Sequence, residues 1–188
     1  MLQNSLYAVL RIRVANPAAR ARNLIKTFIQ TALMWSLALW IVPSWIVRVE
    51  RHYLHIPAFP PLVSAGWILF AVAGSIGLWS GWTMAWYGDG TPLPLDTARK
   101  FVVRGPYCWI RNPMACAGLA QGIAVSLMLG SYAVLLYSLF GIAAWQWIAR
   151  PIEEADLQRR FGSDYLRYQK EVPCWRPRTR GGPYVIKG

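Results

Sequence analysis

The sequence predicts an all-α integral membrane protein with about four membrane-spanning helices, and three observations carry that prediction. Hydrophobic residues fill 55% of the 188 positions and charged residues only 15%, a balance unlike that of soluble domains. The apolar residues gather in long runs at 24–47, 62–86, 113–129 and 132–149. All but Lys26 of the 20 Lys and Arg, against 8 Asp and Glu, fall in the gaps between those runs and at the two ends. Cations that flank hydrocarbon-length runs match anionic lipid headgroups, whereas nucleic-acid binding needs them on one soluble face, so nucleic acid is excluded as the expected partner.

Residues 1–23 contain no acid, carry Arg11, Arg13, Arg20 and Arg22, and interleave Leu2, Leu6, Val9, Leu10 and Ile12. This reads as a basic amphipathic segment lying on headgroups, without the cleavage site of a secretory signal. The run 24–47 is long enough to cross about 30 Å of hydrocarbon and has Pro43 near its far end. Arg48, Glu50, Arg51, His52 and His55 close it, and Pro57, Pro60 and Pro61 separate it from the next run. In the run 62–86, Ala73, Gly77, Gly81 and Ala85 repeat every four residues and open one helix face to a neighbour. The segment 87–112 is too polar to span. Two charge-free runs follow, joined by Gly130-Ser131, and predict a tight antiparallel helical hairpin whose first arm has a small-residue face of Ala115, Gly118, Gly122 and Ser126.

From Arg150 onward the chain is polar. Pro151 suits a first helical turn, Glu153 and Glu154 suit its positive end, Gly162 breaks the helix, and Ser163 can cap a second short one ended by Pro173. Only Arg48 and Arg51 lie in the loop after the first span and none in the hairpin turn, so the positive-inside rule predicts both termini in the cytoplasm. The stretch 104–113 and the carboxy-terminal region then share one side of the membrane. No charged or polar stripe is expected along any span, which argues against a channel. Cys108, Cys116 and Cys174 lack CxxC spacing and His companions, so no metal site is expected.

Arg111 offers a planar donor fork for a carboxylate, and Glu153 or Glu154 offers acceptors for hydroxyls, an ammonium or a second Arg. Together they suit a zwitterionic ligand. Each also has a plainer role: Arg111 snorkelling at the interface, Asn112 and Pro113 opening a helix, the glutamates complementing a helix dipole.

Gly105-Pro106-Tyr107, Arg111-Asn112-Pro113, an apolar hairpin, Glu153-Glu154-x-x-Leu157, Phe161-Gly162-x-x-Tyr165-x-x-Tyr168 and Val172-Pro173 follow in that order. This pattern resembles the carboxy-terminal signature of the isoprenylcysteine carboxyl methyltransferase and phospholipid methyltransferase superfamily. It covers residues 88–177, and its two halves across a hairpin are specific where either alone is weak. The resemblance implies a multi-pass enzyme, in the bacterial inner membrane, that uses S-adenosyl-L-methionine without a Rossmann domain. The sequence has no G-x-G-x-x-G, in keeping with that. The domain plan is an interfacial segment 1–23, two transmembrane helices 24–86, and a methyltransferase core 87–188.

Carried over, Gly105, Tyr107, Arg111, Asn112, Pro113, Glu153 and Glu154 would hold the cofactor, and Arg111 would also orient the methyl acceptor, a lipophilic molecule arriving from the bilayer. Asn112 stands where eukaryotic members have His, which removes a titrating group from that position. Ala115 stands where the pattern usually has Tyr. The expected reaction is carboxyl O-methylation of an isoprenylcysteine-like substrate. Its alternatives are N-methylation of an aminophospholipid or small amine and, from a different class, a non-catalytic scaffold. Sterol-reductase-like proteins share the membrane core but are longer.

Overall fold

The computed structural model describes residues 20–89, 98–179 and 181–185. Most of the basic segment 1–23 and the Gly90 to Pro94 part of the central loop lie outside the described residues. Among the described residues there is no strand. Helix α1 covers residues 20–54 as α-helix Arg20–Trp35, a π-helical stretch Ser36–Ile41, α-helix Val42–Val49 and a second π-helical stretch Glu50–Leu54. Helix α2 is Val63–Tyr87, a 3-10 turn covers Gly105–Cys108, and α3 is Pro113–Leu129. Helix α4, Tyr132–Ala144, passes through a π-helical stretch Trp145–Ala149 into α5, Arg150–Glu171. Three helical stretches are long and apolar enough to cross a membrane, and α3 is a shorter apolar helix.

Two prolines explain two of the π-helical stretches. Pro43 stands two residues past Ile41 and Pro151 two past Ala149. Each lacks the N–H that an α-helical turn needs and crowds the carbonyl four residues back, so a wider turn just before it relieves both. This is why α5 continues α4, where the sequence suggested a separate helix starting at Pro151. Gly162 breaks regularity as expected, with φ 51° and ψ −125°, yet the chain resumes its helix at once. Two helical segments thus meet at the Gly162 kink, as the sequence predicts, and are labelled together as α5.

The chain forms two compact units. One comprises Gln30–Gly77 and Ala115–Arg150. Its centre is the hairpin turn between α3 and α4. Gly130 takes φ +62°, and a Cβ there would clash with the Phe59 carbonyl oxygen, so only glycine fits. Glu50 is 2% exposed. Its carboxylate accepts from the Ser131 hydroxyl and, at 3.0 Å, from the Ala133 N–H. Ser131 in turn accepts from the Val134 N–H at 3.1 Å. Next to it, Arg51 donates to the Leu129 carbonyl at 2.7 Å. An acid thus meets the amino end of α4 and a base the carboxyl end of α3, the signs that both helix dipoles favour. In the same unit Gly77 meets Ala117 and Gly122 meets Ser138, as the small-residue faces predict, whereas a Cβ at Gly118 would meet nothing within 4 Å.

The other unit comprises Met1–Ile29, Leu78–Met114 and Pro151–Gly188. Its core is Tyr165, Tyr168 and Val172 of α5 and the chain after it, with Phe101, Val103, Leu157, Phe161 and Tyr184 packed around them. Buried Asp156 pairs with Arg159 and Arg160, and Arg160 also donates to the Ala98 carbonyl at 2.6 Å. Within this unit Gly81 of α2 faces Thr27 of α1 and Met114 of α3. Along α1, which contributes residues to both units, the expectation that no span carries a polar stripe fails. Asn23, Thr27 and Thr31 are all buried and, with Gln30, recur at helical spacing along one face of α1. Averaging hydropathy over the run hid them, since each is outnumbered by apolar neighbours on the other faces.

Candidate cofactor site

The site is assembled from the chain entering α3 and from the first turns of α5. Gly105–Cys108 turns the chain, and its first residue takes φ +54°. A Cβ on Gly105 would stand 2.9 Å from Thr83 Oγ1 and 3.3 Å from Trp79 Nε1. Gly105 therefore lets the loop approach α2 closely, and its contacts are with that helix. Pro113 opens α3 and is buried, which is the position where its missing N–H costs nothing.

Between them, Arg111 and Asn112 reach the glutamate pair. Arg111 Nη1 donates to Glu154 Oε1 at 2.6 Å, with the two side chains 10% and 20% exposed. Asn112 Nδ2 donates to Glu153 Oε2 at 2.8 Å. Gln169, one turn from the tyrosines, donates to Glu154 Oε2 at 3.0 Å. The Arg111–Glu154 and Asn112–Glu153 pairs are each separated by more than forty positions in the chain and brought together by the fold. Pro151 helps, because it carries the helix through the wide turn that sets the direction of Glu153 and Glu154.

The two carboxylates differ. Glu154 has a cation on one oxygen and an amide donor on the other. Glu153 has one amide donor, and burial pushes its carboxyl up to about 7, with the Asn112 hydrogen bond pulling it down and the Glu154 charge pushing it further up. Burial also raises the phenols of Tyr107, beside Glu153, and Tyr165, beside Glu154 and Arg111. These tyrosines are held neutral, as hydrogen-bonding walls. Arg111 keeps a buried Nε–H without a hydrogen-bond partner.

The tail after α5 straps this loop from the other side. The Arg111 N–H donates to the Pro173 carbonyl at 3.0 Å, the Arg178 N–H to Trp109 at 2.9 Å and the Tyr184 N–H to Cys108 at 3.1 Å. Tyr168 donates its hydroxyl to the Tyr107 carbonyl at 2.7 Å. The structure thus gathers Tyr107, Arg111, Asn112, Glu153 and Glu154 in one cluster, flanked by Pro113, while Gly105 shapes the loop. It adds Tyr165, Tyr168 and Gln169, whose spacing along α5 was visible in the sequence without a role attached. The strap by residues 173–184 had no signal beyond Val172-Pro173.

A polar cluster of this kind at the ends of membrane-length helices defines a membrane-embedded binding protein or enzyme. The sequence model of the phospholipid methyltransferase family matches residues 62–164, just over half of the chain, and the chain belongs to that family. Over 86 residues it is 29% identical to the protein-S-isoprenylcysteine O-methyltransferase of Xenopus laevis. That match spans 45% of this chain and 29% of the relative's length.

Proposed function

We propose that the protein is a membrane methyltransferase that binds S-adenosyl-L-methionine at the Arg111–Glu154 and Asn112–Glu153 cluster and methylates a lipophilic acceptor. The observation that carries this reading is the incompletely paired polar set: half-buried Glu153, which receives one amide donor among the described residues, and Arg111 with a buried, unpartnered Nε–H. Such groups are costly unless something completes them. An amino-acid end with an ammonium and a carboxylate fits both, Glu153 taking the cation and Arg111 Nε–H the anion. Bound there, the cofactor supplies an electrophilic methyl group on a sulfonium. Glu154, fixed by Arg111 and Gln169, positions Arg111; Tyr107 and Tyr165 exclude water.

The favoured acceptor is the carboxylate of an isoprenylcysteine-like molecule. Its oxygen forms a bond to the methyl carbon as the carbon–sulfur bond breaks and the electron pair returns to sulfur. No proton moves, and Asn112, which cannot titrate near neutrality, fits that chemistry. A second reading, N-methylation of an aminophospholipid, draws on the family's description and on Glu153, whose carboxyl near 7 suits it to take a proton from an ammonium headgroup. We place the site on the cytoplasmic face with both termini from the Lys and Arg distribution, and in a bacterial inner membrane from the bacterial type of the family resemblance. Incubating the protein with methyl-labelled cofactor and membrane lipid extract tests the reading. Label in base-labile methyl esters supports carboxyl transfer, label in base-stable amines supports the second reading, and no label in any lipid contradicts both.

A further inference from the structure

Two of the π-helical stretches precede a proline; the third, Glu50–Leu54 at the carboxyl end of α1, does not run on into helix and ends at His55 with φ 51°. Wide turns of this kind recur at binding sites. Glu50 turns inward there, its carboxylate taken by Ser131 and Ala133, while Arg51, His52 and Tyr53 stay exposed. Ser44, Val47, Arg48, Arg51, His52 and Tyr53 line an open pocket of about 580 Å³. Arg48 follows Ser44 by four residues, and Arg51 and His52 follow Arg48 by three and four, so these side chains share one helix face. No carboxylate lines the pocket. It therefore offers donors from two guanidinium groups, an imidazole and two hydroxyls, with no counter-charge of its own.

The apolar run of α1 ends at Val47, so Arg48 and the residues after it stand at headgroup level when residues 24–47 cross the hydrocarbon. Arg48 and Arg51 lie on the side that the Lys and Arg distribution leaves sparse, where bulk attraction to cytoplasmic headgroups does not account for them. Arg51 is also held in place, because its donation to the Leu129 carbonyl at 2.7 Å fixes one arm of the fork and leaves the rest for a ligand. Trp45 and Leu54, which flank the pocket residues along the chain, are exposed apolar surface, suited to the first part of an acyl chain.

We propose that Arg48, Arg51 and His52, with the Ser44 and Tyr53 hydroxyls, form a site for the phosphodiester of an anionic membrane lipid at the hairpin-turn end of α1. Two guanidinium forks match the phosphodiester oxygens. A zwitterionic headgroup adds an ammonium for which the pocket has no carboxylate, so phosphatidylglycerol binds in preference to phosphatidylcholine. The apolar flank adds burial that free phosphate cannot gain. Once bound, the lipid ties α1 to the α3–α4 turn through Arg51 and Leu129 and stabilises the fold by mass action.

The test is a set of thermal melts of the full-length protein in a nonionic detergent, titrated with phosphatidylglycerol, phosphatidylcholine or inorganic phosphate at constant ionic strength. Phosphatidylglycerol raises Tm saturably by about 4 °C or more, and the other two by less than about 1 °C. Arg48→Gln needs about tenfold more phosphatidylglycerol for the half-maximal rise, the loss of one charge-assisted hydrogen bond. Arg48→Lys needs about threefold more and keeps the preference between lipids. Arg167→Gln, which removes an exposed cation from α5, responds as the wild type does. An equal rise with phosphatidylcholine, or with inorganic phosphate alone, overturns the lipid site, as does a wild-type midpoint in Arg48→Gln. A loss in Arg167→Gln as large as that in Arg48→Gln shows diffuse attraction to net charge and overturns it too. Absence of any lipid preference in Arg48→Lys overturns it even where Arg48→Gln does not fold.

Discussion

Glu50 is a buried carboxylate at the amino end of α4 and Glu153 a half-buried one in the first turn of α5, and they differ in how completely they are satisfied. Glu50 receives the Ser131 hydroxyl and the Ala133 N–H at the amino end of α4, all neutral donors supplied by the turn it stabilises. Among the described residues Glu153 receives one donor, Asn112, and has a second carboxylate, Glu154, as its neighbour. Burial alone therefore does not mark a functional acid. A fully satisfied carboxylate at a helix start is a cap; an under-satisfied one in a polar cluster has capacity left for a ligand.

The comparison breaks most visibly at Glu154, the acid that holds Arg111. Glu154→Ala leaves a mostly buried guanidinium without its partner, and the expected cost is about 3 kcal/mol, or roughly a 10 °C fall in Tm, together with loss of cofactor binding. A thermal melt in detergent that shifts by less than a degree or two would show Arg111 to be solvated instead. Glu50→Ala is the matching change in the other unit. It leaves Ser131 and the Ala133 N–H without an acceptor, so Tm drops by about 5 °C, near 2 kcal/mol, while affinity for the cofactor stays within about twofold. A large loss of affinity with Glu50→Ala would erase the distinction between cap and site.

Glu153→Gln sharpens it through pH. The folded protein holds the Glu153 proton more tightly than the unfolded chain does, so this group's stabilising contribution is complete below about pH 4.5 and is lost as pH rises toward about 7. Wild-type Tm therefore declines across that window relative to Glu153→Gln. Cofactor affinity moves the opposite way, rising as Glu153 ionises, and becomes flat with pH in the variant. Parallel pH profiles for the two proteins would place the titration elsewhere. The smallest effect is expected at Gly162→Ala, where the left-handed φ of 51° is open to solvent and free of clashes; the strain alone is about 1 kcal/mol, seen as a fall of roughly 3 °C.

Much of this arrangement was legible in the sequence where local physics decides it. Hydrocarbon-length runs, Gly130-Ser131 and the paired glutamates give the spans, the hairpin and one half of the site. The motif spacing then brings Arg111 and Asn112 to the other half. What the sequence concealed depends on partners far apart in the chain. Glu50 reads as a loop acid until Ser131 and Ala133 are placed against it. The continuity of α4 into α5 rests on a wide turn that tolerates Pro151, which propensity reads as a start. Asn23 and Thr27 were masked because helix periodicity, not mean hydropathy, carries their signal.

The central claim, that the Arg111–Glu154 and Asn112–Glu153 cluster is a cofactor site, is tested most directly by isothermal titration of S-adenosyl-L-methionine and its demethylated product into wild-type and Arg111→Ala protein in detergent. Saturable binding of both ligands by the wild type, weakened at least about 100-fold in a monodisperse Arg111→Ala preparation, is the predicted result. No binding by well-folded wild-type protein, or equal affinity in the two proteins, would contradict it and return these residues to the fold.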